Sequence, residues 1–240
     1  MYGIMREEID RLVAGVDYTN VLSVSATERE VREACAQARA HGFRAVVALP
    51  CYLGVLVDEL KGTGILAQVP VGYPGGGVTT RVKCFEAEEG LSRGANDLDM
   101  VMNIGAFKAR DYAAVRADIE AVMAVARPFG VPFKVIIEVS LLTDEEEVTA
   151  ARLVKDCGAD FVKTGTGFQP GKLSLHDVTL IRETVGERPL IKASGGVASL
   201  EDGVACLRAG AAVVAMRHRL VEQLAAIGWT RPSPAATGTG

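Results

Sequence analysis

Residues 133–165 read FKVIIEVSLLTDEEEVTAARLVKDCGADFVKTG. The stretch opens on an apolar run, FKVIIEV (133–139), and closes on a second, DFVKTG (160–165). Both are short and apolar, as strands buried on both faces are. Between them TDEEEVTAARLVKDCGAD starts with acids, carries Lys155 in its last turn and stops at Gly158. That order suits a helix dipole and a glycine C-cap. A strand, a helix and a strand in so short a span make a parallel pair joined by a right-handed crossover.

Outward from this unit the alternation repeats. Further strand-like runs are AGVDYT (14–19), RAVVALP (44–50), LAQVPVGY (66–73), DLDMVMN (97–103), PLIKAS (189–194) and AAVVAM (211–216). Helix starts are legible between them: Thr27 precedes Glu30 and Ser199 precedes Asp202 at capping-box spacing. Eight strands, each followed by a helical segment, give an α/β fold, a single (β/α)8 TIM barrel with a short N-terminal helix at about residues 4–13. The rival is an open doubly wound sheet, but no GxGxxG follows the first strand. The barrel domain is expected over residues 1–228. A disordered tail is expected over 229–240, where TRPSPAATGTG has no apolar period.

Composition excludes several classes of function. The 240 residues carry 26 Lys and Arg against 30 Asp and Glu, a net charge of −4 without a basic run. Nucleic acid and anionic membrane are therefore not expected partners. No apolar run is long enough to span a bilayer, and MYGIMREEID lacks the apolar core of a signal peptide. Five cysteines at 35, 51, 84, 157 and 206 never form CxxC and read as small buried residues in a reducing, cytoplasmic compartment. Three dispersed histidines offer no metal spacing such as HExxH.

In such a barrel the active site lies at the carboxyl ends of the strands. Four ionisable residues sit inside runs that otherwise want to be apolar: Asp99, Glu138, Lys163 and Lys192. A charge there is costly unless paired. Structural ion pairs are the plainer explanation. The sharper one uses two lysines on consecutive strands: like charges held close depress a pKa, and a neutral amine condenses with a carbonyl to a Schiff base. Asp99 would then shuttle protons.

The strings DLDMVMNIGAFKARDY (97–112), KVIIEVSLLTDEE (134–146), GADFVKTGTGF (158–168) and IKASGGV (191–197) resemble signature segments of the deoxyribose-phosphate aldolase family. LKGTGI (60–65) and VGYPGGGVTTRVKCFEAEE (71–89) extend the resemblance, which runs from about residue 10 to 215. It implies a class I aldolase, a lyase that needs no metal or other cofactor, cleaving 2-deoxyribose 5-phosphate to acetaldehyde and glyceraldehyde 3-phosphate. By the same resemblance Lys163 matches the Schiff-base lysine, Lys192 the lysine that depresses its pKa, and Asp99 the proton-relay carboxylate. Thr164 and Thr166 either bind substrate hydroxyls or close the strand–loop turn. Ser194, Gly195 and Gly196 match half of the phosphate site, and Asp17, which keeps the aspartate of the first strand, is expected to bind substrate. The resemblance also points to a homodimer.

Departures bear on the substrate. The first strand reads Asp17-Tyr18-Thr19 where the family has Asp-His-Thr. Val47 and Leu49 replace a cysteine and an asparagine at the second strand, and Gly165 stands where serine is commoner. The loop after strand eight is Arg217-His218-Arg219 in place of small hydroxyl residues. Arg217 or Arg219 would grip an anion through its charge, or the bulk would fill the site. His218 reads as a surface histidine. Gly75-Gly76-Gly77 reads as a flexible loop lining the pocket, not a P-loop. Two alternatives follow: a related lyase retuned to a non-phosphorylated or carboxylated carbonyl substrate, and a catalytically silent barrel that acts as a binding protein.

Overall fold

The computed structural model describes residues 3–232. Eight parallel strands close into a barrel in sequence order: β1 (Val16–Tyr18), β2 (Ala45–Val47), β3 (Leu66–Val71), β4 (Asp97–Val101), β5 (Phe133–Ile136), β6 (Phe161–Lys163), β7 (Leu190–Ala193) and β8 (Val213–Met216). Each falls inside a run marked by composition alone. The helices are α1 (Arg6–Ala14), α2 (Glu28–His41), α3 (Leu53–Leu60), α4 (Thr80–Ser92), α5 (Ile104–Lys108), α6 (Tyr112–Ala126), α7 (Asp144–Cys157), α8 (Leu175–Val185), α9 (Leu200–Arg208) and α10 (Arg219–Ala226).

The helix ends follow the expected chemistry. Thr27 caps α2 and Thr143 caps α7, each paired with a third-position glutamate. Ser199 does the same for α9 with Asp202, and Ser174 for α8 with Asp177. Gly158 ends α7 in the left-handed conformation that a glycine adopts without a Cβ clash.

Three details differ from the sequence reading. The body of the protein continues past residue 228: Trp229 is 8% exposed, its indole donates to Asp10, and Arg231 reaches the Arg39 carbonyl. The rest of the expected tail, 233–240, lies outside the described residues. The glycine run at 75–77 is absent from the walls of the cavity at the barrel mouth, and its middle residue packs against the end of β4, where a Cβ on Gly76 would sit 2.0 Å from the Met102 carbonyl oxygen. Cys35, Cys157 and Cys206 are buried, but Cys84 is only half-buried and Cys51 is exposed beside Pro50 at the start of its turn. Among the described residues no helix is long and apolar enough to cross a membrane.

Candidate active site

Parallel pairing brings the polar interior residues together. Lys163 at the end of β6 is in direct register with Lys192 on β7. Asp99 on β4 is in register with Lys134 on β5. Adjacent positions in register share a face of the sheet, so these side chains converge inside the barrel. Lys163 Nζ donates to Asp99 Oδ2 at 2.6 Å, and Lys192 Nζ donates to the same oxygen at 2.7 Å. Gln68 on β3 completes a ring, donating to Asp99 Oδ1 at 2.6 Å and accepting from Lys192 at 3.0 Å.

Beneath this layer lies a second. Asp17 touches Lys192 at 2.5 Å and accepts from Arg44. Arg44 also reaches Asp97, which pairs with Lys134. The Arg44 and Lys134 cations both lie over the Phe161 ring, which closes the amino-terminal end of the barrel. The interior thus holds four cationic side chains against three carboxylates, all with 17% or less side-chain exposure.

The two lysines respond differently to this setting. Burial and the Lys192 charge bring Lys163 down to about 8, against the pull of Asp99. Burial opposes the charge on Lys192 too, but Asp17 and Asp99 outweigh it and hold its pKa above the ordinary value. Asp99 is kept ionised well below the usual carboxylate range: burial works against the charge, and Lys163, Lys192 and Lys134 overcome it. One amine poised to lose its proton beside one that keeps it is what nucleophilic attack on a carbonyl at neutral pH requires.

Above Lys163 the mouth holds a cavity of about 360 Å³ whose walls include Tyr73, Gly167, Gly195, Gly196, Arg217 and Lys163 itself. Of the three interior lysines only Lys163 lines it. Asp99, Lys192 and Asp17 lie behind that amine, so Asp17 is placed to hold Lys192, not to touch a ligand. Gly167, Gly195 and Gly196 all have positive φ, and among the described residues their amides have no intramolecular partner. A run of such amides forms an anion-binding concavity. Arg217 and Arg219 line the same cavity and form no ion pair among the described residues.

The hydroxyls of Thr164 and Thr166 are both engaged in closing their turn, and Thr166 also lines the cavity. Thr164 Oγ1 donates to the Ser194 carbonyl and accepts from the Ser194 amide. Thr166 Oγ1 donates to Glu138 and accepts from the Phe168 amide. The Ser194 hydroxyl, by contrast, faces the cavity without an intramolecular partner among the described residues. His218 is exposed, as expected, and its Nδ1 lies 3.2 Å from the Tyr18 hydroxyl, tying the loop after β8 to β1. Glu138 stands apart from the lysine cluster.

Sequence reasoning missed Lys134, Gln68, Asp97 and Arg44. The first three carry the signal that singled out Lys163: an ionisable or amide side chain inside a buried strand run. Arg44 borders its strand and gave no such signal.

Comparison with known proteins agrees with this geometry. A family described as DeoC/LacD family aldolase matches residues 12–223. A deoxyribose-phosphate aldolase from Clostridium tetani is 44% identical over 196 residues, 82% of this chain and 90% of that protein. One from Enterococcus faecalis is 42% identical over 204 residues, 85% of this chain and 90% of that protein. Among solved structures, a tetrameric deoxyribose phosphate aldolase from Aeropyrum pernix superposes with a TM-score of 0.82 at 26% identity, covering 93% of this chain and 100% of the other.

Proposed function

The chain belongs to the DeoC/LacD aldolase family, and on that premise we propose that it is a lyase cleaving 2-deoxyribose 5-phosphate to acetaldehyde and glyceraldehyde 3-phosphate through a Schiff base on Lys163. The observation that carries the reading is that Lys163 alone among the interior lysines reaches the cavity, with its pKa brought down to about 8 by burial and by Lys192.

The neutral Lys163 amine adds to the C1 aldehyde of the open-chain sugar, and loss of water gives the protonated imine. Removal of the C3 hydroxyl proton then sends the C2–C3 bonding electrons into the iminium. This leaves an enamine on Lys163 and frees glyceraldehyde 3-phosphate. Protonation of the enamine carbon and addition of water release acetaldehyde and regenerate the amine. Asp99, whose Oδ2 accepts from Lys163 at 2.6 Å and from Lys192 at 2.7 Å, serves as the relay behind the nucleophile, passing the proton taken from the C3 hydroxyl to the enamine carbon, while Lys192 acts through its charge. The amides of Gly167, Gly195 and Gly196, the Ser194 hydroxyl and the Arg217 guanidinium hold the phosphate.

Borohydride reduction followed by peptide mapping tests the proposal. A reduced adduct on Lys163 from 2-deoxyribose 5-phosphate, and far less from 2-deoxyribose, is the expected result. No adduct from either sugar or from acetaldehyde would instead leave a silent barrel. One observation favours a second reading: the unpaired Arg217 and Arg219 at the cavity wall also suit a carboxylated substrate. An adduct from plain or carboxylated aldehydes that exceeds the phosphorylated one would select it. We also read the protein as a cytoplasmic homodimer. Its five free cysteines fit a reducing compartment, and light scattering separates a dimer from the larger assembly of the Aeropyrum relative.

A further inference from the structure

Glu138 is a buried acid that the mechanism does not use. It follows β5 with φ 59 and ψ 63, one of two non-glycine residues described with positive φ. That region is unfavourable for a side chain bearing a Cβ, and such strain persists only where the surroundings enforce it. Its carboxylate is 3% exposed and forms no ion pair among the described residues. Instead it closes on a single residue of the loop after β6. Thr166 donates its amide to Oε1 and Oε2 at 3.1 and 3.2 Å, and its hydroxyl to Oε2 at 2.5 Å. The space is tightly matched, since a Cβ on Gly165 would lie 2.8 Å from Oε1.

Thr166 is held from its other side as well. Its carbonyl accepts from the Tyr73 hydroxyl at 3.2 Å. A trans peptide is planar, so fixing the Thr166 carbonyl fixes the N–H of Gly167 in the opposite direction. That N–H belongs to a cavity-lining glycine and has no partner within the described residues.

Resting on the phosphorylated-substrate reading above, we propose that Glu138 is a positioning residue that sets specificity. By clamping Thr166 it aims the Gly167 amide at the substrate's phosphate, and it takes no part in the chemistry at Lys163. The clamp explains why an uncompensated carboxylate and a strained backbone stand side by side at the end of β5. Glutamine in its place keeps the shape but turns one of the two acceptors into a donor facing donors.

The test compares wild type and Glu138→Gln with 2-deoxyribose 5-phosphate and 2-deoxyribose, with inorganic phosphate as competitive inhibitor. Trapping of acetaldehyde on Lys163 reports the state of the nucleophile. Glu138→Gln is expected to raise KM for the phosphorylated sugar and Ki for phosphate by about tenfold, the size of one lost charge-assisted contact. kcat/KM for 2-deoxyribose and the trapping rate should stay within about twofold, as for an interaction with the distal group alone. Equal losses on both sugars, or an unmoved phosphate Ki, would overturn the proposal. A wild type that shows no preference for the phosphorylated sugar would instead overturn the substrate reading on which it rests. Thr166→Val, which removes the hydroxyl half of the clamp, supplies the same comparison if the glutamine variant does not fold. It should shift the phosphate Ki in the same direction by less, and an unchanged Ki there also counts against the clamp.

Discussion

Replacing Lys192 by methionine removes a charge while keeping most of the side-chain volume. Lys163 and Lys192 both contact Asp99 Oδ2, at 2.6 and 2.7 Å, which leaves their nitrogens no more than about 5 Å apart; like charges at that distance repel by about 3 kcal/mol at an effective dielectric of about 20, or about two pK units. Lys163 stands at about 8 with that repulsion present. Without it, the amine should rise to about 10, so its neutral fraction at pH 7 falls from about a tenth to about a thousandth. Asp99 loses a competing cation at the same time, which pushes the shift the same way. Asp17 keeps Arg44 as a partner, so the floor of the barrel stays paired. The assay is the rate of borohydride trapping with limiting acetaldehyde from pH 6 to 11, scored by mass. Lys192→Met should trap about a hundredfold more slowly at pH 7 and recover most of that loss above pH 10, with the midpoint moved upward by about two units. A slow variant whose midpoint stays near 8 would refute the reasoning: Lys192 would then act as a proton carrier, not as a field on its neighbour.

Three predictions concern stability. Lys163 titrates at about 8 in the fold against an ordinary 10.5, so the unfolded chain binds more protons between those values and stability rises with pH across that window. Lys163→Met should abolish activity yet stabilise the protein at pH 7 by about 3 kcal/mol in urea melts, the gain vanishing above pH 10.5. Glu147, buried on α7 with an unpartnered Oε1, is pushed up to about 8 by burial and by the charges of Asp177 and Asp144. Here the folded state binds the extra proton, so stability is lost as pH climbs from 4.5 to 8; Glu147→Gln should gain about 1–2 kcal/mol at pH 7 and nothing below pH 4.5. Lys83, fully buried on α4, pairs with Asp118 at 2.5 Å and donates to the Val101 carbonyl. Lys83→Met should cost about 3–5 kcal/mol by stranding the carboxylate, and adding Asp118→Leu should restore most of it.

The alternation of short apolar runs with capped helices made the barrel legible, because each βα unit is specified locally by strand composition, an N-cap and a stop. The proposed nucleophile stood out for a related reason: a lysine inside FVK has no local excuse for its charge. The same logic applied to Lys134 in FKVI and Gln68 in LAQV, yet both escaped notice, since only long-range register shows them meeting Asp99 and Lys192. Thr164 and Thr166 stayed ambiguous because a hydroxyl serves a turn or a ligand equally well in a sequence. The answer depended on whether Ser194 and Glu138 lay within reach, which no spacing encodes. Gly76 misled for the opposite reason: three glycines suggest freedom, but here the missing Cβ is what lets β4 come close.

The charge balance of the interior explains why a barrel would carry so much polarity. Arg44, Lys134, Lys163 and Lys192 face Asp17, Asp97 and Asp99, so with every group ionised one positive charge is left over. An unbalanced charge in a low-dielectric interior is relieved by the group that gives up a proton most easily. Lys192 is held by two carboxylates and Arg44 by two more contacts at the floor. Lys163 has Asp99 alone and stands where the cavity begins. The proton therefore leaves from the one lysine that a substrate carbonyl can reach. Under the proposed Schiff-base chemistry the lower ion-pair layer serves the nucleophile: it fixes three carboxylates against three cations, so that the surplus falls on Lys163.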